Sequence, residues 1–296
     1  MELRKPVKIL ERLGLKRPVS EPSPDRPVFR KLELHVAHGC NLSCESCSHY
    51  SNHAHAGIVS LEDADRWMGL WSRRASVTRF SLLGGEPTIH PELPRFVGLV
   101  RKHWPRTNIE IVSNGFFLHR HPSLPAVLAA DPDARLVISV HHMAQEYQEK
   151  LKPVFALLQE WRRDHGVVAT IRPAHKNWTR RYEGFGDTML PFEDADPRAS
   201  WQTCPARHCK QLLDGRIWKC EPLAYLPMQK AKYRLSEKWD PYLGYQPLEP
   251  DCSPAELQAF AALEDEVACG MCPAKERLFE LPVPLRPPRS RAIPAI

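Results

Sequence analysis

Between residues 31 and 175, short apolar runs alternate with longer stretches in which apolar side chains recur at helical spacing. KLELHVA, TRFSLL, NIEIVS, RLVISV and VVATIRP have the length and branched-residue content of strands. SLEDADRWMGLWSRR, HPELPRFVGLVRKHW, SLPAVLAA and AQEYQEKLKPVFALLQEWRR lie between them and read as helices, the first opening on a Ser60-x-x-Asp63 capping signature. Strand regularly followed by helix predicts an α/β chain with a parallel sheet. LVISV and VVATI are continuous apolar runs, the form expected of parallel strands buried on both faces. The pattern then dissolves. NWTRRYEGFGDTMLPFEDADPRAS has no period and reads as a connection over 177–200. A second unit follows over 201–280, with a hairpin-like LLDGRIWKC and a helix AELQAFAALEDEVA after the Ser253-Pro254 pair. Residues 1–30 are basic and proline-punctuated, and 281–296 form a proline-rich tail.

Composition narrows the class only modestly. With 296 residues, 43% hydrophobic and 26% charged, the chain has enough apolar matter for a large folded domain and an attachment. The net charge of +6 is spread along the sequence, which suits solubility and gives no footprint for nucleic acid. No run reaches the roughly 18 apolar residues of a membrane span, and charges break MELRKPVKILERLGLKRP where a signal peptide would be apolar. A cytoplasmic monomer without a membrane partner is the expectation.

The nine cysteines, at 40, 44, 47, 204, 209, 220, 252, 269 and 272, change the picture. An odd number cannot all pair as disulfides, and clustered thiols in a reducing compartment bind metal. Cys40-x-x-x-Cys44-x-x-Cys47 directly follows a predicted strand. Three thiolates on one loop can hold three irons of a cubane and leave the fourth open, whereas zinc sites and ferredoxin clusters use a fourth local ligand.

That loop resembles the CX3CX2C loop of the radical S-adenosylmethionine (SAM) superfamily. Two further motifs occur in family order: Leu83-Gly84-Gly85-Glu86-Pro87, similar to the GGE motif, and Ser113-Asn114-Gly115, similar to the family's TNG-like turn. All three sit at the C-terminal ends of predicted consecutive strands, where parallel α/β sheets place ligands. The resemblance covers roughly 31–175 and implies a partial (β/α)6 barrel over 31–176. It further implies a 4Fe-4S cluster on Cys40, Cys44 and Cys47, and a SAM amino group held by Gly84, Gly85 and Glu86 with the Ser113–Asn114 turn beside them. Ser139 would contact the ribose and Arg172 the SAM carboxylate. Reductive cleavage of SAM would give a 5'-deoxyadenosyl radical, fed by an electron donor such as flavodoxin or ferredoxin. One departure stands out: the residue before the third cysteine, commonly aromatic and near the adenine, is Ser46.

The C-terminal unit reads Cys204-x10-Gly215-x4-Cys220, then Cys269-Gly270-Met271-Cys272. This resembles the auxiliary-cluster extension called SPASM, or its shorter form, twitch. It implies a second 4Fe-4S cluster closed by Cys204, Cys220, Cys269 and Cys272, a structural zinc in the same four thiolates being the alternative. Cys209 precedes the same glycine turn and competes with Cys204, which the spacing favours. Cys252 stands apart from both ligand sets, and its thiol is the expected hydrogen-atom donor of an epimerase. The predicted substrate is of sugar or aminocyclitol (aminoglycoside) type. Alternatives are a dehydrogenase of an aminocyclitol alcohol, a maturase of ribosomal peptides, and a non-catalytic iron–sulfur scaffold. His49, His53, His55 and the His141-His142 pair are placed near the active-site mouth; Trp67, Trp71 and Trp161 are placed in the core.

Overall fold

The computed structural model describes residues 26–282. The basic segment up to residue 25 and the proline-rich tail from 283 lie outside them. Seven strands form one sheet: β1 (Val28–Ala37), β2 (Ser76–Gly84), β3 (Asn108–Ser113), β4 (Ala134–Ser139), β5 (Ala169–Arg172), β6 (Cys209–Leu213) and β7 (Arg216–Trp218), in the order β5-β4-β3-β2-β1-β6-β7. All neighbours are parallel except β6 and β7, which form an antiparallel hairpin around Asp214-Gly215. The architecture is the expected mostly parallel α/β fold, but the hairpin assigned to the second unit continues the main sheet. β6 pairs with β1 through Lys31↔Cys209 and Glu33↔Gln211.

The helices α1 (Leu61–Ser72), α2 (Leu93–His103), α3 (Leu124–Ala130) and α4 (Gln145–His165) connect the first five strands. Ser60 caps α1 by accepting the Asp63 amide at 3.0 Å. α1 buries Ala64, Trp67, Met68 and Trp71, and α2 buries Leu93, Phe96, Val97 and Val100, each a single helical stripe. They pack on Leu32, Leu34, Val36, Phe80, Leu82, Ile109, Ile111, Leu136 and Ile138, which alternate along β1 to β4; Trp161 joins the same core from α4. The intervening residues, including Lys31, Glu33, His35, Ser81, Glu110, Ser139 and Gln211, take the other face by the period of two. The sheet therefore has an apolar helix-covered face and a polar face that is also largely closed to solvent.

Two elements differ from the sequence-based expectation. β5 spans only four residues and is exposed, because it is the last strand of the sheet and carries Ile171 into solvent. The last predicted helix covers only Pro254–Ala262 (α8 here); Leu263 is extended, and Cys269 lies instead in a short 3-10 turn over Val267–Met271. α8 begins with a Ser253/Glu256 capping box. The other C-terminal helices are α5 (Pro197–Thr203), α6 (Glu221–Lys232) and α7 (Asp240–Leu243). They surround a second apolar cluster of Tyr182, Met189, Leu223, Tyr225, Trp239, Met271 and Cys272, into which Tyr50 reaches from the loop after β1. No helix among the described residues is long and apolar enough to cross a membrane.

Candidate active site

The segment after β1 turns sharply back over the sheet. Ser46 and Tyr50 adopt left-handed backbone (φ 55° and 53°), which non-glycine residues accept only when their surroundings fix it. The fixing contacts are visible. Ser46 Oγ accepts the Arg181 amide at 2.7 Å and the Tyr182 amide at 3.3 Å and donates to the Tyr182 carbonyl at 3.2 Å, while Trp178 Nε1 donates to the Glu45 carbonyl at 2.8 Å. The 177–200 stretch is thus a strap that holds the cysteine loop in shape. Ser46 is an anchor in it, at the position where an aromatic residue was expected.

This turn brings Cys40, Cys44 and Cys47 onto the wall of one chamber of about 490 Å3. Gly84, Gly85, Glu86, Ser113, Asn114, Ser139 and Arg172 line the same chamber, so the residues expected to hold the cluster and SAM meet there. The glycines make the approach possible. A Cβ at Gly84 would stand 2.1 Å from the Ala37 carbonyl oxygen, and one at Gly85 would stand 2.2 Å from that of Gly39. Glu86 is 1% exposed and acts as a hub: Oε1 accepts the Ser113 hydroxyl at 2.6 Å and the Thr88 amide at 3.0 Å, and Oε2 accepts the Asn114 amide at 2.8 Å. Burial raises its pKa against these donors. Oε2, with a single protein donor, keeps capacity for a ligand ammonium. Arg172 stands at the exposed rim, Ser139 deeper.

The three thiols suit a cluster. Burial pushes all three upward, yet backbone amides are already turned toward sulfur: Leu42 toward Cys40 at 3.4 Å, and His49, Ser51 and Asn52 toward Cys47. Amides aimed at buried sulfur stabilise a thiolate, which is the form that ligates iron. Asn114 Nδ2 also approaches Cys40 Sγ at 3.9 Å, and His141 Nδ1 lies 3.7 Å from Cys44 Sγ. Burial lowers the His141 pKa to about 4, so the ring is neutral.

A second, smaller cavity is lined by Cys204, Cys220, Cys269 and Cys272. Arg181 Nη1 donates to Cys204 Sγ at 3.7 Å, and the indole Nε1 of Trp201, buried on the same wall, has no partner. A half-buried cation and an unpaired buried N–H beside four thiols fit an anionic sulfur-ligated centre. Burial pushes Cys272 up to about 12, Arg181 opposing it. Cys209 does not line this cavity, so Cys204 is the residue that joins the other three. Arg181, Ala206 and Glu221 line both cavities and form the wall between them.

Several expectations need correction. Cys252 is not on the chamber wall. It packs against the apolar core beside Arg74, whose guanidinium bonds its thiol and carbonyl. Arg74 lies two residues before β2, so Cys252 lies at the end of the sheet opposite Gly84–Glu86. His53 and His55 are structural: His53 Nε2 meets the Tyr182 hydroxyl at 3.2 Å, and His55 bonds Gln229. His142 is held by the Leu281 carbonyl at 2.8 Å, while His49 and His141 do line the chamber.

The unforeseen part of the site is its polar wall. Lys31 and Glu33 on β1 pair at 2.6 Å, Gln211 on β6 donates to Glu33 at 2.5 Å, and His49, Arg181, Cys209 and Glu221 complete the surface. Burial opposes charge on both members of the first pair, but their mutual attraction wins, lowering Glu33 and raising Lys31. A lysine and a glutamate two apart on a strand that otherwise alternates apolar residues were the available signal.

Comparison with known proteins gives one family match and several partial likenesses. Residues 34–165 match the Radical SAM superfamily model. A "Probable GTP 3',8-cyclase" from Aeropyrum pernix is 28% identical over 135 residues, 43% of this chain and 36% of that protein. The chain thus spans little more than a third of that relative's length. BtrN in complex with AdoMet and 2-DOIA is similar at TM-score 0.42 and 16% identity, over 73% of this chain and 86% of BtrN. Streptococcus suis SuiB bound to precursor peptide SuiA is similar at TM-score 0.41 and 16% identity, over 56% of this chain and 35% of SuiB.

Proposed function

We propose that the protein is a radical SAM enzyme that removes a hydrogen atom from a small polar substrate of sugar or aminocyclitol type and epimerises the carbon. The observation that carries this reading is the single chamber bordered at once by Cys40, Cys44, Cys47, the Gly84–Glu86 segment and a buried polar wall. Its volume of about 490 Å3 lies within the range of small-molecule sites, roughly 300–1,000 Å3.

Cys40, Cys44 and Cys47 would hold a 4Fe-4S cluster, and Cys204, Cys220, Cys269 and Cys272 an auxiliary one. When bound, the first cluster and SAM supply, from one electron of a flavodoxin or ferredoxin, a carbon radical able to break an unactivated C–H bond. The chain's own residues do the rest. Glu86 Oε2, Ser113, Asn114, Ser139 and Arg172 would hold the polar groups of SAM, and the 177–200 strap, through Trp178 and Arg181, supplies part of the chamber wall. Lys31, Glu33, His49 and Glu221 give a substrate with many hydroxyls or amines its hydrogen-bond partners, fixing which C–H faces the radical.

A second outcome, dehydrogenation, is favoured by one feature: the four-cysteine cavity adjoins the chamber through Arg181, Ala206 and Glu221, a short path for an electron leaving the substrate. Anaerobically reconstituted enzyme in deuterium oxide, assayed by mass against aminocyclitol glycosides, separates the two. Epimerisation adds one mass unit to the product and dehydrogenation removes two. Absence of 5'-deoxyadenosine with every such compound would count against the whole reading.

A further inference from the structure

We propose that Cys209 is the hydrogen-atom donor, delivering its thiol hydrogen to the substrate carbon from the face opposite the radical. This inference rests on the radical reading above and reassigns the role expected of Cys252, whose place at the far end of the sheet excludes it. Cys209 opens β6 beside Lys31 of β1, lines the chamber, and has its thiol within hydrogen-bond reach of Glu33. β1 separates β6 from β2, and Cys209 is level with Lys31 and Arg79 while Gly84 is level with Ala37, so Cys209 and the Gly84–Glu86 segment stand apart on the chamber wall. A donor that inverts a carbon must stand apart from the radical source, because hydrogen must leave one face and arrive at the other.

An independent observation marks the ground beside Cys209 as a ligand site. Glu221 is 4% exposed, and its Oε2 has no hydrogen-bond partner; the buried Nε2 of His49, on the same chamber wall, also has none. Buried polar atoms are almost always satisfied. A hydroxyl- or amine-bearing substrate between SAM and Cys209 would satisfy both.

The substrate loses H• to the SAM-derived radical, and the Cys209 S–H bond breaks as a new C–H bond forms on the opposite face. The sulfur radical left behind takes one electron from a low-potential one-electron donor and one proton from solvent, which restores the thiol. Each turnover consumes one SAM, two electrons and one proton.

The test uses reconstituted wild type, Cys209→Ala, Cys209→Ser and Cys204→Ala, with neamine in deuterium oxide as the probe. Both Cys209 variants are expected to keep wild-type iron, whereas Cys204→Ala loses about half of it, consistent with one of two clusters. Both Cys209 variants should continue to form 5'-deoxyadenosine while deuterated, inverted product falls by about 100-fold or more, as when a group acting on the reacting atom is removed. Serine keeps the size and the hydrogen bond but has too strong an O–H bond to replace the thiol, so a merely structural role predicts rescue by Cys209→Ser. Loss of half the iron in the Cys209 variants, or wild-type labelling of their product, would overturn the donor role alone. Wild-type protein that binds iron but splits no SAM would overturn the underlying reading and the donor role with it.

Discussion

Gly84 and Gly98 show how unlike two glycines can be. Gly98, in the middle of α2, has nothing within 4 Å of an added Cβ, whereas at Gly84 that atom would enter the Ala37 carbonyl at 2.1 Å. Gly98→Ala should therefore stabilise the protein by about 0.5–1 kcal/mol through helix propensity. Gly84→Ala should cost about 3 kcal/mol or more, because the obstacle is backbone and cannot turn away. Urea midpoints of the two variants, read with their iron content, check this: a Gly84→Ala protein as stable and as well loaded as wild type would contradict it. Single residues also show where the sequence was silent. Nothing in the spacing of Cys209 and Cys252 says which thiol faces a cavity, since that depends on β6 joining β1. Ser46 was legible as a departure, but its purpose was not, because its partners Arg181 and Tyr182 lie 135 and 136 residues away.

Among the elements, strands β1 to β4 were readable because they carry their apolar residues in runs or alternation, and α1 and α2 because each has one apolar stripe and α1 a capping serine. The composition of β5 alone predicts a buried strand; its position at the sheet edge is a property of strand order, which local sequence does not carry. The same strand order sets an ion-pair group across β2, β3 and β4. Glu110 accepts from Arg135 Nε at 2.9 Å, with Arg79 at 3.5 Å on the other side. Burial raises the Glu110 pKa, but the hydrogen bond from Arg135 and the nearby cations outweigh it, so the carboxyl is held below its ordinary value of 4.5. A carboxyl depressed in the folded state contributes stability above its unfolded pKa and loses it as pH falls through the folded value. Arg135→Ala should therefore cost about 1–2 kcal/mol at neutral pH, allowing for an arginine that is half exposed. The difference from wild type should shrink below about pH 4. Urea unfolding at pH 7 and pH 4 checks the sign, and a deficit that grows on acidification would contradict it.

At the scale of the whole molecule, two sulfur-lined cavities share one wall, and Arg181 belongs to both. The cysteine spacings announced each set separately, since ligands on one loop must be close in sequence. The shared wall was not legible, because it is built from the 177–200 strap, the 204–208 loop and the start of α6, segments with no periodic signature. The division into units also looks different in three dimensions: the hairpin expected in the second unit extends the main sheet, while a separate apolar cluster lies beneath α6 and α7. The central claim is that Cys40, Cys44 and Cys47 hold a cluster with an iron open to SAM. The most direct measurement is the electron paramagnetic resonance spectrum of the reduced, oxygen-free protein with and without SAM, beside a variant with all three residues changed to alanine. The account predicts one cluster signal whose g-values move when SAM is added and which disappears in the variant, the auxiliary signal remaining. A spectrum indifferent to SAM, or unchanged by loss of the three cysteines, would contradict it.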